Sequence, residues 1–466
     1  MRAVLPDAQE LDLFVSALQE VPPTSLRLHP LKNAPALPAV GWSEPMEAVA
    51  WAQMGRYLAS RPSFTRDPLF HAGAYYVQEA SSMFVERIWL EAIERQQQQR
   101  GNAPLAVLDL CAAPGGKTTH ALSLLPEDSL VVCNEIIDHR AQILAENVQK
   151  WGMGNVVVCQ NSPEQLAAAL PDFFDIILVD APCSGEGMFR KDADSILEWS
   201  TQAVGRCVQR QREILRSAWA MLRRGGVLIY STCTYNRAEN EENLQWWLQQ
   251  APEAQPLQVQ QGAASLPYWG VQAEQTASGV TGYRFFPHRL RGEGFFVSFM
   301  AKGEGGERAD AAPKGRQKSP IQWLGKKQAA TCAHLLRDAS RWLWHDHRGM
   351  YRAFDRTWGE WYGYFYERLR VVYAGISVAE VQRSEIRPQP ALALHTAAEL
   401  NAFARVELTL EQAQSFLRLA DFDLSEDAPR GWLLAMYAGR SLGWLKNLGS
   451  RHNNYYPKNW RIRMEL

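Results

Sequence analysis

The sequence has almost no net charge: 49 Lys and Arg against 50 Asp and Glu leave −1 over 466 residues. A chain so balanced, with a pI near 6.8, is not a polycation that coats nucleic acid, so any contact with phosphates must come from local patches. Its seven cysteines, at positions 111, 133, 159, 183, 207, 233 and 332, form no CxxC pair and no cluster with histidine. That argues against both a disulfide framework and a zinc site. The opening MRAVLPDAQELDLF lacks a basic n-region and an apolar h-region, no apolar run approaches the length of a membrane span, and no internal repeat is visible. These absences predict a soluble, cytoplasmic protein without a metal, and we expect a monomer.

What is present is length and alternation. At 466 residues with 46% hydrophobic content, two to four packed domains are expected. Between about 105 and 300, short apolar runs alternate with longer helical ones, the pattern of βαβ units and a parallel sheet. LAVLDL (105–110), SLVVCNEI (129–136), NVVVCQN (155–161), FFDIILVDAP (173–182) and VLIYSTCTY (227–235) read as strands. GYRFFPH (282–288) and GEGFFVSFMAK (292–302) read as a closing β-ribbon, so the spacing predicts seven strands with an antiparallel end. A long Arg-rich helix over 202–223 is expected to stop at Gly225-Gly226, a C-cap signal. Asn236 and Glu239 read as the capping box of the next helix. We divide the chain into an N-terminal domain (1–100), a central domain (101–302), a Gly, Ala, Pro and charge-rich linker (303–320), an intermediate domain (321–395) and a C-terminal domain (396–466).

After the first strand comes CAAPGGKTTH. Pro114, Gly115 and Gly116 make a tight turn where backbone can approach a ligand, and the following helix presents its N-terminus to that ligand. The loop is neither GxGxxG nor GxxxxGKS/T, which disfavours a dinucleotide or a nucleoside triphosphate. Glu135, at the end of the second strand, stands where an acid grips ribose hydroxyls. A nucleoside-bearing cofactor without a pyrophosphate is therefore favoured, and S-adenosyl-L-methionine fits. The expected cofactor-binding set is Cys111, Ala112, Ala113, Pro114, Gly115, Gly116, Lys117, Glu135, Asn161, Ser162 and Asp180. Lys117 either contacts cofactor or substrate or is a solvated first-turn lysine.

Two cysteines lie beyond strand ends, where open α/β sheets do chemistry: Cys183 in DAPCSGEG and Cys233 in STCTYN. Cys133, Cys159 and Cys207 fall inside strand or helix patterns and read as small buried hydrophobes. Together CAAPGGK, DAPCSGEG and STCTYNRAENE resemble the RNA cytosine-C5 methyltransferase family, the NOL1/NOP2/Sun group, and in particular its bacterial RsmF-like branch acting on 16S ribosomal RNA. The resemblance implies an α/β, Rossmann-like class I S-adenosylmethionine-dependent methyltransferase domain with a seven-stranded sheet. A small N-terminal α+β domain for RNA recognition and a C-terminal PUA-like RNA-binding region flank it. It assigns the nucleophile to Cys233, which adds at cytosine C6 in a covalent adduct, and release to Cys183, while Asp180 holds the cytosine edge at N3 and N4. Where the family places an acid near the adenine, this chain has Asn161, Ser162 and Pro163.

The implied partner is ribosomal RNA or the small ribosomal subunit, with the target base flipped out or single-stranded. Arg190 and Lys191, just after the Cys183 loop, are expected to meet neighbouring phosphates. Tyr75, Tyr76, Gln78, Glu79 and Ser81 either shape the pocket mouth or pack between domains. In the C-terminal segment Arg440, Lys446, Arg451, Lys458, Arg461 and Arg463 interleave with Trp444, Tyr455, Tyr456 and Trp460, with Glu465 the one acid. That composition suits phosphate contact and base stacking, or simply a solvated face. Two rival readings are a transfer-RNA cytosine-C5 methyltransferase and a non-catalytic RNA-binding assembly factor.

Overall fold

The computed structural model describes residues 4–32, 46–191, 194–303, 321–347, 349–382 and 385–464. The expected linker lies, apart from Gly303, outside them, as does Glu465. The chain starts with a helix, Ala8–Ala17, capped by the Asp7 carboxylate. Then β1 (Thr24–Leu28), β2 (Glu47–Ala48), β3 (Gly55–Leu58) and β4 (Tyr75–Tyr76) form a small sheet in the order β2-β3-β1-β4.

The central sheet grows from five apolar runs. They become β5 (Ala106–Asp109), β6 (Leu130–Asn134), β7 (Asn155–Cys159), β8 (Phe174–Asp180) and β9 (Leu222–Thr232), in the parallel order β7-β6-β5-β8-β9. Nearly every residue in them is buried, as expected for parallel strands covered by helices on both faces. The helix Val85–Arg100 packs Ile88, Trp89 and Ala92 on one face, in the same core as Val107, Val131 and Ile176. On the other face the helix Thr201–Met221 packs Leu215 and Ala218 with Leu108 and Ile177. Each buried Val, Leu or Ile among these contributes roughly 1.5–3 kcal/mol through burial.

The expected ribbon is present as β12 (Thr281–Phe285) and β13 (Phe295–Lys302), with β13 antiparallel to β9. These complete the seven strands. Three more extend the sheet to ten: β10 (Ala254–Pro256) on β13, β11 (Gln272–Gln275) on β12, and β16 (Val371–Ala374) on β7. The last comes from beyond the linker and pairs antiparallel with β7.

Two local readings are corrected. Gly225-Gly226 does not cap the Arg-rich helix, which ends at Met221; both glycines lie within β9. There Gly225 takes φ +78°, and the β8–β9 register shifts opposite Asp175, between Phe174 and Ile176. The glycines serve a bulge beside a buried carboxylate bonded by Arg100, Arg223 and the Ala106 N–H. The following helix starts at Glu241, so Glu239 is outside it and caps nothing.

After the linker, β14 (Trp342–His347), β15 (Met350–Asp355), β17 (Ile376–Gln382) and β18 (Glu385–Pro388) form an antiparallel sheet. A last sheet is built from β19 (Ala404–Glu407), β20 (Gly431–Tyr437), β21 (Arg440–Asn447) and β22 (His452–Asn454). Trp444, Tyr456 and Trp460 are buried in cores here. The interleaved aromatics are thus mainly packing residues, and only Tyr455 is partly open, beneath Arg387.

Candidate active site

All five parallel strands end on one edge, and each delivers a candidate residue there: β5 the Cys111 loop, β6 Glu135, β7 Asn161, β8 Asp180 and Cys183, β9 Cys233. Because β5 lies between β6 and β8, the chain reverses its winding direction at that point, which opens the crevice that ligands of such sheets occupy.

The loop from Cys111 is held in shape by its neighbours. The Ala112 N–H donates to Asn134 O (2.8 Å), Arg140 donates to Ala113 O (3.0 Å) and Asn147 to Pro114 O (2.8 Å). Gly115 has φ +110°, which favours glycine. Gly116 opens the helix Gly116–Leu122 with the Tyr76 ring so close that an added Cβ would sit 3.3 Å from it. Arg27, from β1, is buried and donates to Gly116 O (3.3 Å) and to the Thr119 hydroxyl (2.7 Å). The N-terminal sheet is therefore docked on the Cys111 loop, and Tyr76 belongs to that contact. Tyr75 is buried, bonded to Asp67, while Gln78 bonds Arg27 and the Glu79 carboxylate accepts the Ser81, Ser82 and Glu293 N–H groups.

Glu135 is buried, with one oxygen accepting the Ile137 N–H (3.0 Å) and the other 3.4 Å from Arg140. Asp109, at the end of β5, is a further acid that motif reading passed over. One oxygen accepts from Thr118 (2.7 Å), the other is buried without a partner, and burial pushes the carboxyl up to about 7. Burial also pushes the Cys111 thiol up, which keeps it neutral. At the β7 end, the Ser162 hydroxyl caps the helix Pro163–Ala169, and Asn161 accepts from the Arg370 N–H (3.1 Å) just before β16.

The two thiols meet. Cys183 Sγ and Cys233 Sγ are 3.2 Å apart, and all seven cysteines are free. Asp180 faces the same space, one oxygen accepting from Lys117 Nζ (2.8 Å) and the other from the Ser231 hydroxyl (2.7 Å). Lys117 is thus an ion-pair partner, not a solvated lysine. The hydrogen bond between the thiols polarises them in opposite senses. That bond, assisted by Lys117 and opposed by burial and Asp180, moves Cys233 below the usual thiol range. The same bond, with burial, pushes Cys183 well above it. Of the two, Cys233 is therefore the one more readily deprotonated.

Two carboxylates fix the loops. Glu239 accepts from the Ser184 N–H (3.0 Å), the Ser184 hydroxyl and Gln211 (2.8 Å), so it holds the Cys183 loop instead of capping a helix. Glu186 accepts from the Thr234 hydroxyl (2.9 Å), the Tyr235 N–H (3.0 Å) and Trp199 (2.9 Å), which pins the chain after Cys233. Arg190, expected at phosphates, is instead buried against Glu293 (2.9 Å) and donates to Gly292 O (2.8 Å). Lys191 remains partly exposed and, with Arg61, Arg291 and Gln78, lines a cleft of about 840 Å³ between the N-terminal sheet and the catalytic loops. Among the described residues no helix is long and apolar enough to cross a membrane.

The Lys117 contact has a measurable consequence. Removing it in Lys117→Met takes away a cation that favours the Cys233 thiolate and leaves Asp180 uncompensated; both changes raise the Cys233 pKa. Peptide-resolved alkylation with iodoacetamide across pH should show the Cys233 reactivity limb moved to higher pH. An unmoved limb would mean that Lys117 does not tune this thiol.

The sheet order, the glycine loop at its reversal point and the acid at the end of β6 define a Rossmann-like class I methyltransferase, and the chain is an enzyme of that class. Residues 95–301 match the family described as 16S rRNA methyltransferase RsmB/F, residues 1–80 the N-terminal domain of 16S rRNA methyltransferase RsmF, and residues 403–462 the methyltransferase RsmF PUA domain. The ribosomal RNA small subunit methyltransferase F of Erwinia tasmaniensis is 31% identical over 98% of this chain and 94% of that protein. Its Klebsiella pneumoniae counterpart is 32% identical over the same shares. The crystal structure of PH0851 shares the fold, with a TM-score of 0.53 and 22% identity over 65% of this chain and 64% of that one. The chain belongs to the ribosomal RNA small subunit methyltransferase F family.

Proposed function

We propose that the protein transfers a methyl group from S-adenosylmethionine to carbon 5 of a cytosine in 16S ribosomal RNA, with Cys233 as nucleophile and Cys183 as the releasing group. The observation that carries this is the polarised thiol pair beside Asp180 and Lys117. The cofactor fits the residues present: a glycine loop open to close approach, buried Glu135 for ribose hydroxyls, and an Asp109 oxygen left unpartnered at the loop. When bound it supplies an electrophilic methyl group.

Carbon 5 of cytosine is a poor nucleophile until a thiolate adds at C6. Cys233 is the sulfur whose pKa is lowered, and once it is deprotonated its lone pair forms the S–C6 bond. Asp180 accepts from the N4 amino group, and Lys117 places positive charge where negative charge builds on the N3 side of the ring. After the methyl group is gained, C5 still bears its proton. Bonding of Cys233 to carbon removes the largest of the effects that raise the Cys183 pKa, so Cys183 can lose its proton to solvent and then take the one on C5. The C5–H electron pair becomes the C5–C6 double bond, and Cys233 leaves as thiolate. The cleft lined by Arg61, Lys191 and Arg291 accommodates flanking nucleotides, with phosphate contact from these cations.

Incubation with methyl-labelled cofactor and, in parallel, small ribosomal subunits, naked 16S ribosomal RNA and transfer RNA tests the reading. Label should enter 16S ribosomal RNA as 5-methylcytosine. Label in transfer RNA alone would favour the transfer-RNA enzyme, and no incorporation anywhere would leave a non-catalytic binding factor.

A further inference from the structure

Away from the catalytic edge, a cavity of about 350 Å³ lies where three parts of the chain meet. The loop after β1 contributes Lys32, the intermediate segment contributes Arg337, His395 and Thr396, and the start of β21 contributes Arg440 and Ser441. Among the described residues no acidic one lines it.

Among the described residues the partners of the three cations are backbone carbonyls. Lys32 Nζ donates to Ala72 O (3.2 Å) and Lys150 O (2.6 Å), Arg440 Nε to Lys32 O (2.6 Å), and Arg337 to Thr396 O. Among the described residues none of the three has a carboxylate within ion-pair distance. The neighbouring Glu407 accepts the Gly439 N–H. Ser441 Oγ is buried and has no hydrogen-bond partner. The cations oppose one another: burial and Arg440 push Lys32 down to about 7, and burial with Lys32 pushes His395 down to about 3. Like charges converging on a space without an acid lower the cost of placing an anion there. At about 30 Å³ per water the volume admits a tetrahedral oxyanion with part of its carrier.

We propose that this junction binds a phosphate group, with Arg337 and Arg440 as its charge partners and the Ser441 hydroxyl as an added donor. The site joins all three segments, so the bound phosphate also fixes their relative placement. This holds whether or not the reaction proposed above is correct, since neither measurement below involves methyl transfer.

Arg337→Gln, Arg440→Gln and Ser441→Ala are compared with the wild type in the full-length protein. In one arm, affinity for naked 16S ribosomal RNA is measured across salt. A phosphodiester in the site predicts several-fold weaker binding for the arginine variants and a slope of log affinity against log salt shallower by about 0.7–0.9. In the other arm, inorganic phosphate raises the thermal midpoint of the wild type and raises it less in each variant. A change in the first arm identifies nucleic-acid phosphate as occupant; a change in the second alone identifies a free anion. Variants that fold normally yet leave both arms unchanged would overturn the proposal. Should Arg440→Gln fail to fold, the exposed Arg337 and the uncharged Ser441→Ala decide it.

Discussion

Cys183→Ala is expected to trap the protein on its substrate. With labelled RNA and cofactor it should give a covalent protein–RNA band on denaturing gels, while Cys233→Ala gives neither band nor product. The expectation rests on the 3.2 Å thiol contact and its asymmetry. Without Cys233 only Cys183 remains, a thiol whose burial pushes its pKa up, and turnover should fall by roughly 10⁴-fold or more, the scale on which single catalytic nucleophiles act. Without Cys183 the attack survives, since Lys117 still favours the Cys233 thiolate, but the C5 proton has no base beside it. Loss of the Cys183 hydrogen bond also raises the Cys233 pKa, so adduct formation by Cys183→Ala should speed up with pH over a higher range than wild-type turnover. A band from Cys233→Ala and none from Cys183→Ala would reverse the two roles.

Gly187→Ala should disable the enzyme without unfolding it. A Cβ at Gly187 would lie 2.3 Å from Cys233 O and 2.7 Å from Gly294 O, and the Gly187 N–H already donates to Cys233 O at 2.6 Å. Backbone cannot yield as a flexible side chain does, so the methyl group must push the Cys233 peptide aside. Overpacking of this kind costs about 1–3 kcal/mol in stability, and a displacement of about 1 Å at a reacting group costs on the order of 10²-fold in rate. The turnover number should drop by about that factor while calorimetry shows cofactor affinity close to wild type, since the glycine loop lies across the crevice. Wild-type turnover in this variant would show that the Cys233 peptide does not need its observed position.

The catalytic edge was legible because parallel strands covered on both faces are apolar runs ended by turns, and their ends are where the chemistry sits. The sequence β5 to β9, the closing ribbon and the gathering of Cys111, Glu135, Asp180, Cys183 and Cys233 on one side follow from that pattern. Glu239 was misread because a carboxylate three residues after an asparagine looks like a helix cap, while its partner Ser184 is 55 residues away. Arg190 was misread for the same reason: its neutralising Glu293 is 103 residues distant, and a lone arginine after a catalytic loop looks free. Trp444, Tyr456 and Trp460 show that aromatics among basic residues do not announce which side they face. The glycine pair in β9 answers to Asp175 on the adjacent strand, which no local window contains.

The pairing of β16 with β7 bears on how the protein is made. A strand edge with unpaired N–H and C=O groups is a template for any other chain, and the outer edge of the NVVVC run of β7 is paired by residues from beyond the linker. During synthesis every candidate site residue precedes the segment Val371–Ala374 that pairs with this flank. The segment after the linker is therefore more than a carrier for the RNA-binding end. It covers the outer edge of β7, so a chain cut at the linker is expected to expose that edge and to self-associate more readily than the full chain.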